Sequence, residues 1–376
     1  MIKRIQIFVD DLSQQLFFVI LTSMAVIVYG IRGIGYRRDL WGDDLELYLH
    51  ATNRPVPNTT FGRIDHFGFF DSYNNYLVVW IRAFTHIAKL GPDSNFTFNA
   101  YVLMTVSYAV ITSATCLVIA EKTSRIFALL SLGFCVFLPF SNLVILAQVN
   151  TIIWPLSLFM IVISSTRVYP KTKPFQILIV VIFFITALST LTVIISVALL
   201  GLNLIQNSKQ LNKFEMLLFT ATTTSIAIQL NAYVPRNNQK LPLIGELHKA
   251  LYNFAPQYIR EKHGALLSVD EQIIFWVIPL MLLIIWLIQV NFARQTNWSA
   301  AVSAAKLFVG GVVLLSLLVR GNGWLNTHYL FIPAALFWIS LTLLFHQNRH
   351  EASTRIMILI TVALFVTTYS GTYYLL

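Results

Sequence analysis

The chain has 376 residues, of which 57% are hydrophobic and only 11% charged, with a mean hydropathy of +0.70. A soluble domain carries about 25% charged residues, so the composition excludes an ordinary soluble globule and points to a bilayer. The net charge of +10 then reads as basic loops that set orientation or meet lipid phosphates, with no nucleic-acid partner expected.

In hydrocarbon every backbone N–H and C=O must pair internally, which leaves helices or closed barrels. The apolar runs here are longer and more continuous than the ~10-residue alternating segments of barrel strands. The expected fold is an all-α membrane protein of about eleven transmembrane helices, one polytopic domain over 1–376.

The first run, 16–34, follows Lys3 and Arg4 and has no small-residue cleavage site after it, so a retained signal anchor with a cytoplasmic amino terminus is expected. A long outer loop, 35–97, comes next. Its stretch 76–90 mixes Arg82, His86 and Lys89 with apolar residues and suits an interfacial helix better than a span. Runs follow near 98–119, 126–147, 151–166, 175–188, 190–206 and 214–233. The stretch 175–206 is too long for one span and too short for two ordinary ones; the polar turn Ala187-Leu188-Ser189-Thr190-Leu191-Thr192 predicts a hairpin of two short helices. A second outer loop, 234–271, is basic, with an amphipathic surface helix expected over 245–263. Runs near 272–290, 300–319, 330–345 and 356–376 complete the series.

This order places Lys122/Arg125, Arg167/Lys171/Lys173, Lys209/Lys213, Arg294 and Arg349/Arg355 in short inner connections, as positive-inside orientation requires. The two cysteines, Cys116 and Cys135, lie inside apolar runs and read as small core residues. Three N-x-S/T sequons, at Asn58, Asn95 and Asn297, are what chance gives in a chain rich in Asn, Ser and Thr.

The first outer loop carries the densest chemistry. It opens with Trp41-Gly42-Asp43-Asp44-Leu45-Glu46-Leu47-Tyr48, and Arg63-Ile64-Asp65-His66 and Asp71 follow. Three carboxylates within four residues at a membrane surface are costly unless solvated, paired or used. Asp43 and Glu46 can share a helix face, whereas the adjacent Asp43 and Asp44 cannot. The loop offers a general base, further acids, and cations for phosphate. The plainer reading is a solvated loop whose charges stop the first helix. Oxygen ligands from Asp43, Asp44 and Glu46 suit Mg²⁺ or Mn²⁺ without establishing a site.

A late outer turn, Arg320-Gly321-Asn322-Gly323-Trp324-Leu325-Asn326-Thr327-His328-Tyr329, could grip an anionic headgroup or a sugar, the Arg320 fork suiting phosphate. Aromatic residues also sit at interfaces for no functional reason. Gln148-Val149-Asn150-Thr151 with Trp154-Pro155 marks an outer mouth between the third and fourth runs, where amides line a cavity or, more commonly, tie helices together.

A first span ending in an acidic outer loop, interfacial helices, many further spans and a late Tyr-bearing outer turn resemble the GT-C class of membrane glycosyltransferases. The class includes protein mannosyltransferases, lipid A aminoarabinose transferases and arabinofuranosyltransferases. Its hallmark is an Asp-Asp or Asp-Glu pair in the first outer loop, often followed by Tyr, and Asp43-Asp44 with Tyr48 match it. The resemblance implies transfer of a sugar from a polyprenyl-phosphate carrier to a glycan, lipid or protein acceptor on the outer face, with Asp43 or Asp44 as the general base. Glu46, Tyr48, Arg63, His66, Arg320, His328 and Tyr329 are then the donor- and acceptor-binding candidates. Family members often have Arg immediately before the late Tyr; here His328 stands there, and Arg320 is the substitute cation. With no large soluble domain after the last run, acceptor choice is expected to fall to the loops.

Two other classes remain open. A transporter or flippase of lipid-linked substrates would suit the short hairpin 175–206, although nearly all charges lie outside the runs. A non-catalytic protein of envelope assembly is the third.

Overall fold

The structure, a computed structural model, describes residues 9, 11–33, 72–73, 76–137, 149–206, 212–232, 287, 291, 298–321 and 331–347. The described chain is mostly helical. In order it forms α1 (Gln14–Gly33), a pair of two-residue strands β1 (Ser72–Tyr73) and β2 (Tyr76–Leu77), α2 (Val79–Ala88), α3 (Phe96–Lys122), α4 (Arg125–Phe137), α5 (Ile153–Thr166), α6 (Lys173–Ala187), α7 (Ile194–Gln206), α8 (Lys213–Ala232), α9 (Trp298–Gly321) and α10 (Phe331–Gln347). Among the described residues, α1 and α3 are long and apolar enough to cross a membrane, α3 at 27 residues reaching roughly 40 Å. The apolar helices α5, α6 and α7 have 14, 15 and 13 residues. At 1.5 Å per residue each is roughly 20–22 Å long, short of the ~30 Å hydrocarbon layer.

Local sequence accounts for the helix ends. Pro174 sits in the first turn of α6, where its missing N–H costs nothing. Asn212 caps α8 by accepting from the Phe214 N–H at 2.9 Å. The long apolar run over 175–206 is broken where expected: Thr190 caps the 3₁₀ turn Leu191–Val193, its hydroxyl accepting from the Thr192 N–H. One turn therefore separates α6 from α7.

The exposed faces of these helices are as apolar as the buried ones. On α1, Phe17, Leu21, Ala25 and Tyr29 are buried, while Leu16, Val19, Met24, Ile27 and Ile31 are exposed. Phe175, Ile177, Leu178 and Val181 on α6 and Met216, Leu217, Ile228 and Leu230 on α8 are exposed likewise. A helix stabilised by water on one side would carry polar residues there.

The chain divides into two units, one comprising residues 1–21, 115–142 and 238–376, the other 22–114 and 143–237. In the first, α9 and α10 run antiparallel. Ser340 donates to the Ala304 carbonyl at 2.7 Å, the Phe308 and Phe337 rings lie 5.2 Å apart, and Gly311 meets Pro333. A β-carbon at Gly311 would stand 3.4 Å from the Pro333 carbonyl oxygen, so a small residue there permits the close approach. Arg125, at the start of α4, donates to the carbonyls of Val9 and Leu12 and lies 5.5 Å from the centre of the Phe17 ring. That contact puts the segment before α1 beside the α3–α4 connection. Cys116 and Cys135 are buried and unbridged, as core residues.

In the second unit, α5 and α7 run parallel: Ser157 shares a 2.8 Å hydrogen bond with Thr192, and Asn203 donates to the Ser164 carbonyl at 2.7 Å. α8 packs on α6, with the Ser225 hydroxyl donating to the Phe184 carbonyl. The helices alternate in direction, so the α6–α7 turn and the last turns of α8 share one end. The α5–α6 connection and the start of α8 share the other.

Candidate functional site

At the first of these ends the segment over 72–88, with residues 72–73 and 76–88 described, meets the helical unit. The two-residue strands pair antiparallel, Ser72 with Leu77 and Tyr73 with Tyr76. Such a short ladder cannot hold itself. The amide of Gln229, fully buried on α8, clasps it: its Oε1 accepts from the Leu77 N–H at 2.9 Å and its Nε2 donates to the Leu77 carbonyl at 3.1 Å. Three residues on, the Trp80 N–H donates to Ser189 Oγ and its indole Nε1–H to Thr186 Oγ1, both at 3.0 Å. These partners lie at the end of α6 and in the turn after it.

Helix α2, which follows, has the ten-residue length that rules out a span, and much of it is covered by protein: Ile81, Arg82, Thr85 and Ala88 are buried. Arg82 has no exposure at all. Desolvation, with the cations Lys89 and Arg82 adding to it, pulls the pKa of His86 below its ordinary value. Asn99 closes the turn into α3 by donating to the Ala88 and Leu90 carbonyls at 3.1 and 2.9 Å, around Gly91 with its φ of 102°. Farther along α3, the hydroxyl of Tyr108 donates to the Thr151 carbonyl at 2.8 Å, and its ring meets that of Tyr29 edge-on at 5.8 Å. The segment expected to form an outer mouth is thus held at Thr151 by a helix-to-backbone bond.

The other end of the same unit holds an ionic cluster. Arg167 grips Glu215 with two bonds of 2.9 Å, from Nε to Oε1 and from Nη2 to Oε2, and the Tyr169 hydroxyl donates to Oε1 at 2.7 Å. The Glu215 side chain is enclosed, whereas that of Arg167 is 34% exposed. Arg167 ends α5 in the left-handed region, φ 58°, with its N–H on the Ile163 carbonyl. Burial, and next the carboxylate of Glu215, push the Tyr169 phenol well above its ordinary pKa and keep it a donor. The sequence marks Arg167 as one more inner-loop cation; its pairing with a glutamate 48 residues away has no local signal.

Asp43, Asp44, Glu46, Tyr48, Arg63, His66, His328 and Tyr329 lie outside the described residues, as do the Mg²⁺ or Mn²⁺ ligand candidates among them and the loop 234–271. Arg320 falls within α9, whose helix runs through Gly321, and not in the turn after it. Arg320 is thus the one of these candidates that falls among the described residues. Among the described residues no cluster of His, Cys, Asp or Glu has the makings of a metal centre. What sequence reasoning missed is Ser189, Thr186 and Gln229, polar residues in apolar helices or at their ends, each bonded to backbone or indole of the loop. The chain matches no protein-family model, and no curated protein is significantly similar to it.

Proposed function

We propose that the chain is a multi-pass membrane glycosyltransferase of the GT-C kind, taking a sugar from a polyprenyl-phosphate carrier to a glycan, lipid or protein acceptor on the non-cytoplasmic side. The observation that carries the reading is the acidic pair Asp43-Asp44, ten residues beyond Gly33, where the first long apolar helix ends. Two further features support it. The apolar exposed faces of α1, α6, α8 and α9 each suit contact with lipid, as membrane-spanning helices require. The loop that carries the pair also returns into the helical unit over 76–88 and ends in a buried, cation-bearing helix.

The chemistry is one displacement at the anomeric carbon with inversion. Asp43 or Asp44 takes the proton of the acceptor hydroxyl as its oxygen forms the new glycosidic bond. The bond from the anomeric carbon to phosphate breaks, and polyprenyl phosphate leaves with the electron pair. Arg63, His66, Arg320 and His328 are the candidate cations for that phosphate, with Glu46, Tyr48 and Tyr329 placing the sugars. Losing a general base costs ~10²–10⁴-fold in rate. Asp43→Asn and Asp44→Asn, tested separately in proteoliposomes with folded protein, are expected to leave one variant slowed by that factor. Full activity in both would end the proposal.

A transporter or flippase of lipid-linked substrates is the second reading, favoured by the polar turn at 188–190 that interrupts an apolar stretch and leaves α6 and α7 short. Movement of an intact lipid-linked sugar across the bilayer, with no release of polyprenyl phosphate, would select it.

A further inference from the structure

We propose that Gln229 is a positioning residue for the first outer loop, acting with Ser189 and Thr186 as a clasp that fixes segment 72–88 against the ends of α6 and α8. That this segment belongs to a catalytic loop rests on the transferase reading; the clasp does not.

Two-residue strands leave the outer edge of Leu77 unserved, and a third strand would be the usual remedy. A primary amide presents the same donor and acceptor as a peptide group, so Gln229 acts as a third strand one residue long. Its amide is fully buried, where an amide is costly unless both ends are used. Both are used, on one residue 152 positions away.

Helix α2 shows a second deficit. Its first-turn N–H groups need partners, yet Val78 at the cap position has no side chain able to accept. Ser189 supplies the missing cap from the turn after α6: its hydroxyl donates to the Ile185 carbonyl at 2.8 Å, which leaves a lone pair for the Trp80 N–H. Thr186 then takes the indole N–H and sets the ring. The loop thus gets its strand partner, helix cap and aromatic anchor from α6, α8 and the α6–α7 turn. Gln229 and Ser189 accordingly set the position of fully buried Arg82.

Hydrogen–deuterium exchange over peptides spanning 72–88, compared among wild type, Gln229→Met, Gln229→Glu and Ser189→Ala, tests the clasp. Gln229→Met removes both bonds at similar shape and is expected to speed exchange at Leu77 about tenfold. Gln229→Glu keeps an acceptor for the Leu77 N–H and is expected to speed it less. Ser189→Ala is expected to speed exchange at Trp80 and not at Leu77. Unchanged exchange in the folded variants overturns the clasp.

The second arm follows release of polyprenyl phosphate from a panel of polyprenyl-phosphate-linked hexoses and pentoses, with an envelope extract supplying the acceptor hydroxyl. Misplacing the loop is expected to lower kcat about 10- to 100-fold in Gln229→Met, with KM for the carrier within about twofold and partial rescue in Gln229→Glu. Faster exchange with unchanged kcat overturns the positioning role. A wild type that releases polyprenyl phosphate from no member of the panel in the presence of that acceptor source sinks the transferase reading instead, and the exchange data alone then decide the clasp.

Discussion

The two ends of the second unit are fastened by different chemistry. At one end neutral groups, the Gln229 amide and the Ser189 and Thr186 hydroxyls, hold the backbone and indole of an incoming loop. At the other, a guanidinium, a carboxylate and a phenol hold the α5–α6 connection to the start of α8. Neutral hydrogen bonds contribute about 1 kcal/mol each and can be lost one at a time. A buried ion pair behaves otherwise, because removing one partner leaves an uncompensated charge. The ionic end therefore reads as a permanent fastening, the neutral end as the one where a loop can be set or shifted at modest cost.

Substitutions at the two ends can break that contrast. The largest effect is expected for Arg167→Met, which strands the enclosed Glu215 carboxylate. About 3 kcal/mol should be lost in thermal or denaturant unfolding, the lower end of the usual cost because the Arg167 side chain is partly exposed. Gln229→Met comes next, at about 2 kcal/mol, since the Leu77 N–H and carbonyl both lose their partner on α8. Tyr169→Phe should cost about 1.5 kcal/mol by removing one donor from Glu215. If Gln229→Met proves more damaging than Arg167→Met, the assignment of permanent and adjustable ends is reversed.

The smallest effect is a dependence on pH at the neutral end. His86 has a folded pKa below its unfolded value, so the unfolded chain binds the proton first as pH falls. Stability should be level above about pH 6.5 and decline below it, Lys89 and Arg82 opposing the new charge. His86→Gln should flatten the part of the unfolding profile that His86 contributes, and an unaltered profile would remove His86 as its source.

Much of the helical framework is legible in hydropathy alone. The runs 98–119, 151–166 and 214–233 correspond to α3, α5 and α8, and the polar turn within 175–206 does separate two short helices. Their register is not legible. Gln229 sits in an apolar run where an amide looks incidental, and its partner is 152 residues away. Ser189 and Thr186 look like ordinary turn and helix residues until Trp80 arrives from another part of the chain. Hydrophobic periodicity reports which residues leave water, but side-chain-to-backbone bonds between distant segments are fixed only by packing. The acidic motif is the reverse case: conspicuous in sequence through charge at a membrane edge, it lies outside the described residues, so its placement remains an expectation from Asp43, Asp44 and Tyr48.

The most direct test uses the purified chain in liposomes with a radiolabelled polyprenyl-phosphate-linked sugar and an envelope extract as acceptor source. Label is expected to move to the acceptor together with stoichiometric free polyprenyl phosphate, and neither product is expected from a chain carrying both Asp43→Asn and Asp44→Asn. Label that crosses the bilayer still attached to its carrier, or equal turnover by the doubly substituted chain, would contradict the transferase reading.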